Sequence, residues 1–141
     1  MRRLSRLGAS RDTLLNQYRL ICRSVLETAA PLFAGGLSQT NISDIENVQR
    51  SAFKIILRKD YFSYSQALDV LGENTLEERR ENISLKFAKK STNHPKMKHL
   101  FKKKECTKTR NGSKFVETKS NTKRGYNNPV KYFIRMLNSQ P

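Results

Sequence analysis

The sequence predicts an all-α fold: a small helical bundle built on an antiparallel helix pair, with a basic, largely disordered C-terminal arm ending in a short helix. Three observations predict it. Apolar residues recur at one-face helical spacing through 10–29 and again through 38–57. Between them Pro31, Gly35 and Gly36 make a corner that a continuous helix would not tolerate. The charge is also lopsided. Of the 28 Lys+Arg and 12 Asp+Glu (net +16), residues 1–90 hold 15 and 10, whereas residues 91–141 hold 13 and 2. A folded part followed by a basic arm is the simplest organisation with that asymmetry.

Residues 1–9 read as the end of a preceding helix, with Leu4 and Leu7 apolar and Gly8 able to close it. A domain seldom starts that way, so the chain is expected to be a fragment. A helical domain is predicted over 10–93. Ser10 caps the first helix, with Asp12 in its first turn where the dipole favours a carboxylate. Leu14, Leu15, Tyr18, Ile21, Cys22, Val25, Leu26 and Ala29 form its inner face, and Arg11, Arg19, Arg23 and Glu27 its outer one. Ser38 caps the second helix, whose inner face is Ile42, Ile45, Val48, Ala52, Ile55 and Ile56, with Glu46, Gln49, Arg50 and Lys54 outward. Two helices with single apolar faces pack against each other.

Ser63 starts a short helix closed by Gly72, and Thr75 with Glu78 forms a capping box for the next, which carries Leu76, Ile83, Phe87 and Ala88 inward. These helices have barely enough apolar surface for one core, so help from a missing neighbour is expected. Residues 94–128 are Lys-, Thr- and Asn-rich and read as a flexible basic arm. Their aromatics, Phe101, Phe115 and Tyr126, suit either base stacking or tethering. Residues 129–139 form a terminal amphipathic helix carrying Val130, Phe133, Ile134 and Leu137, to be docked on the core or on a partner.

An excess of this size seeks a polyanion, and RNA or DNA is the first expectation. The residues predicted to meet phosphates are Arg11, Arg19 and Arg23 on the first helix, and Lys102, Lys103, Lys104, Lys108, Arg110, Lys123 and Arg124 on the arm. The Lys102–Lys104 cluster also fits a nuclear-import signal, and the expected compartment is intracellular, nuclear or cytoplasmic. No apolar run is long enough to span a membrane. Two cysteines, Cys22 and Cys106, and two histidines, His94 and His99, lack the close pairing of a zinc site. No phosphate loop or nucleophile–histidine arrangement is present. Asp60, Asp69 and Glu73 read as solvated helix ends rather than a metal-binding triad. No enzyme activity, cofactor or small-molecule substrate is therefore expected of this chain.

One further signal comes from order. Tyr18, Arg23, Leu26, Glu27, Ala29, Ala30 and Pro31, then Ile45, Glu46, Val48, Gln49, Arg50, Ala52, Ile55, Ile56 and Leu57, follow a familiar pattern. Tyr61, Tyr64, Ala67, Leu68, the Thr75–Arg80 stretch, Lys86–Lys89, His94-Pro95 and the ending from Arg124 through Asn128-Pro129 to Asn138 continue it. Nearly the whole chain thus resembles the region after the polymerase domain of non-LTR (LINE-type) retrotransposon reverse transcriptases. It departs at Leu32-Phe33, where that family often has Val-Trp, and in its Lys-rich tail. Over the first forty or so residues it is also similar to a segment labelled as the N-terminal region of AlkB-homologue repair proteins, although nothing resembles a dioxygenase core. The reverse-transcriptase resemblance implies a thumb-like or post-thumb segment that holds template RNA and target DNA, partnered by an upstream polymerase domain. The catalytic palm of that family has no counterpart here, so no catalytic residue carries over. The alternative reading from the residues alone is a stand-alone basic helical RNA-binding or ribosome-associated scaffold.

Overall fold

The computed structural model describes residues 1–104 and 114–140. Its helices are α1 (Arg2–Arg6), α2 (Arg11–Gln17), α3 (Ser24–Glu27), α4 (Ala30–Phe33), α5 (Gln39–Leu57), α6 (Tyr64–Leu71), α7 (Leu76–Asn93), α8 (Lys123–Tyr126) and α9 (Pro129–Asn138), with a π-helical turn, Tyr18–Arg23, joining α2 to α3. No strand occurs among the described residues; one isolated antiparallel bridge pairs Lys103 with Phe115. The fold is all-α, as predicted.

The chain divides into two compact units: Met1–Thr28 with Ser38–Arg79, and Ala29–Leu37 with Arg80–Pro141. This is not the division expected from charge, which placed one helical domain over 10–93 and an arm after it. Two separate cores explain the difference. The arm's own aromatics, with α9 and the later turns of α7, bury enough apolar surface for a second core.

In the first unit, Leu14 and Tyr18 pack with Ala52, Phe53, Ile56 and Leu57 of α5 and with Ala67 and Leu71 of α6. Phe53 is fully buried, with the Tyr18 ring edge-on at 5.5 Å and the Tyr64 ring stacked at 6.1 Å. The caps fall at the expected residues. Ser10 Oγ accepts from Thr13 N, Ser38 Oγ from Asn41 N and Ser63 Oγ from Gln66 N, each at 3.2 Å.

The faces fall differently. The first helix does not run evenly to Ala29, because its backbone widens into the π-turn at Tyr18. One extra residue per turn rotates everything downstream about the axis. Ile21 and Val25, expected inside, are therefore 58% and 70% exposed, while Arg23 and Glu27 turn partly inward. On α5 the correction is at Gln49 and Val48: Gln49 is buried and Val48 half-exposed. The helix ends at Thr28, before Pro31, which instead sits in the first turn of α4 where its missing N–H costs nothing.

The second unit packs Phe133, Ile134 and Leu137 of α9 with Ala88 and Phe101. Phe115 meets Phe101 edge-on at 6.1 Å, and Phe87 lies 5.6 Å from Phe133. The described parts of the arm are thus tethered by their aromatics. Gly35 is required here: a Cβ on it would lie 2.7 Å from Tyr132 Cγ. Buried positions along α7 read Leu76, Arg80, Ser84, Ala88 and Ser91, a stripe mostly of polar or small residues. Both terminal nitrogens of Arg80 and the Ser84 hydroxyl have no partner among the described residues.

Candidate nucleic-acid interface

The two units carry very different charge. The first holds 11 basic and 9 acidic residues, net +2; the second holds 17 and 3, net +14. The asymmetry between the units is thus larger than the +5 and +11 found on either side of residue 90.

In the first unit Arg11, Arg19, Arg23 and Arg79 are engaged in ion pairs. Gly72, in the left-handed region at φ 61°, closes α6, and Glu73 N donates to Leu68 O at 2.9 Å. That Schellman closure turns the Glu73 side chain inward. Its carboxylate, 4% exposed, accepts from Arg19 Nε at 2.6 Å and Arg23 Nη1 at 2.7 Å. Arg79 forks onto Glu27 through Nε and Nη2, and this hydrogen bond raises the guanidinium pKa above its ordinary value. Arg11 pairs with Asp60 at 2.6 Å in a more exposed setting. Arg11, Arg19 and Arg23, expected from the sequence to meet phosphates, are thus each in an ion pair, and Glu73 is a buried counter-ion rather than a solvated helix end.

Polar groups in the core are matched with similar economy. Tyr18 Oη donates to Gln49 Oε1 at 2.7 Å, and Gln49 Nε2 donates to Asn74 O at 3.0 Å. Burial pushes the Tyr18 phenol well above its usual pKa, and the Glu73 charge adds to the shift. Tyr64 Oη donates to Glu46, whose other oxygen accepts from Glu77 N at 2.8 Å. Burial and that hydrogen bond raise the Tyr64 phenol in the same direction. Thr75 Oγ1 caps α7 by accepting from Glu78 N at 3.2 Å. The expected return bond from Glu78 is not formed; Glu46 supplies the second cap. In sequence Glu46 falls on an idle outer face, because its partners come from residues 18 and 31 positions away.

In the second unit several basic side chains have no ion pair among the described residues. Lys102, Lys103 and Lys104 are exposed where the chain bridges to Phe115, and Lys123 and Arg124 are exposed on α8, capped by Thr122 Oγ1. None of these five has an ion pair among the described residues. Lys108, Arg110 and Cys106 lie outside the described residues. Arg135 differs: it pairs with Glu117 at 3.3 Å and lies 3.8 Å over the Tyr126 ring.

Lys102 also lines a cleft of about 390 Å³ together with Lys131 and His99. The sequence marks Lys131 in no way and suggests His99 only as a metal ligand. Neither has a local signature, since the residues that make them neighbours are distant in the chain. Among the described residues no group of three or more His, Cys, Asp or Glu could hold a metal, and no helix is long and apolar enough to cross a membrane.

The chain matches no family model, no curated protein and no solved structure. The functional reading therefore rests on charge, geometry and the ordered motifs.

Proposed function

We propose that this chain binds RNA or DNA through the backbone phosphates, using the basic surface of its second unit, and that it serves as a helical nucleic-acid-holding segment of a non-LTR retrotransposon reverse transcriptase. In that setting the polymerase chemistry belongs to an upstream domain, and this chain positions the strands. The observation that carries the binding reading is the net charge of +14 on the second unit, with Lys102, Lys103, Lys104, Lys123 and Arg124 exposed and without an ion pair among the described residues. Free ammonium and guanidinium groups displace condensed counterions from phosphates, whereas groups already paired to carboxylates gain little. The assignment to a reverse transcriptase rests on the motif order from Tyr18 to Asn138 alone.

Charge substitution tests the binding reading better than truncation, because removing residues after 93 would also remove Phe101 and Phe133 from the second core. Replacing Lys102, Lys103 and Lys104 together by Ala should weaken binding to a mixed-sequence RNA. The slope of log K against log salt should fall by roughly 2 to 3 units, at about 0.7–0.9 per lost contact. An unchanged slope would show that these lysines do not meet phosphates. A polymerase palm encoded in frame immediately upstream would support the family assignment, and flanking sequence without one would remove it.

A further inference from the structure

The cleft lined by Lys102 and Lys131 has two chemically distinct walls. One is apolar: Leu100 and Val116 are 40% and 36% exposed, and Ile134 forms the floor at 5%. The other is cationic and polar. Lys131 Nζ donates to Ser120 Oγ and, at 3.3 Å, to Lys119 O, which leaves one of its three N–H bonds for a ligand. Among the described residues the Lys102 ammonium has no partner. Asn128 spends its Oδ1 on Val130 N at 2.9 Å, so its amide N–H groups, like the Thr118 hydroxyl, have no partner among the described residues.

Both walls are tied down. Val116 N donates to Lys102 O at 2.9 Å, and Asn138 brackets Phe115 by accepting from its N–H at 3.0 Å and donating to its carbonyl at 3.1 Å. A preformed site of this kind loses little entropy when a ligand enters. What it matches is a small ligand with a flat apolar face, hydrogen-bonding edges and an attached anion.

We infer that this cleft holds one unpaired nucleotide of a single strand, with the base against Leu100, Val116 and Ile134 and the phosphate on Lys102 and Lys131. The inference rests on the nucleic-acid reading above and adds strand selectivity to it. A base locked in a duplex cannot leave its stack to reach the apolar wall, whereas the phosphates of a duplex still meet the exposed lysines.

The test is fluorescence anisotropy of the full chain with a labelled unstructured single-stranded RNA and with a blunt duplex of half its length, both long enough that the duplex stays paired at low salt while the phosphate number is equal. The single strand should bind about fivefold more tightly, the scale of one base face shielded from water by aliphatic side chains. V116N and L100N change no charge and sit at part-exposed positions. Each should remove most of that preference while leaving duplex affinity within about twofold, and K123A should weaken both ligands equally. Equal affinity for the two ligands overturns the inference and leaves the nucleic-acid reading standing. A preference that survives both V116N and L100N also overturns it, by placing selectivity elsewhere. Failure to bind either ligand at low salt overturns both readings.

Discussion

The Tyr18 hydroxyl donates to the Gln49 side-chain oxygen at 2.7 Å, in the middle of the first core. Both groups are almost fully buried, at 0% and 1% exposure. Each satisfies the other, so the cost of losing one is set by the partner left behind. Gln49→Leu should destabilise the chain by about 1–3 kcal/mol, and Tyr18→Phe by a similar amount. The double variant should cost clearly less than the sum, which urea denaturation of all four proteins would reveal. Strict additivity would mean the bond contributes nothing.

Glu73 receives two guanidinium groups, and removing it strands both. Glu73→Gln should destabilise by roughly 2–3 kcal/mol, below the full cost of breaking a buried pair because Arg19 and Arg23 keep some contact with water. A corollary separates structure from binding. Replacing Arg19 and Arg23 by Ala should lower the melting temperature while leaving RNA affinity of the folded protein within about twofold. A steep loss of affinity would restore these arginines to the phosphate-binding set.

The raised phenols of Tyr18 and Tyr64 make stability depend on alkaline pH. In the unfolded chain a tyrosine loses its proton near pH ~10, whereas in the folded chain it holds the proton to higher pH. Between those two values the folded state binds more protons, so stability falls as pH rises. The contribution is complete below about pH 10 and is lost progressively above it. Lysine titration occurs in the same range and is shared by all variants, so the informative quantity is the stability difference between wild type and Tyr64→Phe. That difference should shrink from pH 9 to pH 11 in denaturant titrations. A constant difference would contradict the shift.

Gly35 lies where Tyr132 leaves no room. Gly35→Ala places a methyl group 2.7 Å from Tyr132 Cγ and 2.8 Å from its Cβ, atoms too near the α9 backbone to swing away. A loss of about 1–3 kcal/mol is expected from such overpacking. In a Tyr132→Ala background the same substitution should cost much less. Equal cost in both backgrounds would point to backbone conformation instead of this contact.

Much of this protein follows from residues close together in the chain. Helical periodicity, the Ser10, Ser38 and Ser63 caps, the Gly8 and Gly72 closures and the break before Pro31 are local, and they determine an all-α fold. The amphipathic pattern of Pro129–Asn138 likewise specifies a helix that must bury one face. The lopsided charge by itself points to a polyanion.

What the tertiary structure decided is which charges remain free. A basic residue on a helix looks the same in sequence whether its partner is water or a carboxylate fifty or so residues away, as with Arg19 and Glu73. The π-turn was hidden as well, because a single widened turn has no compositional mark, yet it exposed Ile21 and Val25 and brought Arg23 to Glu73. The stripe of α7 has no readable pattern because its buried positions include an arginine and two serines. The cleft beside Lys102 exists only because residues 99–102, 116–118 and 128–134 meet. Local chemistry determined the helices and the charge; long-range packing decided which cations are neutralised by a carboxylate and which have no ion pair among the described residues.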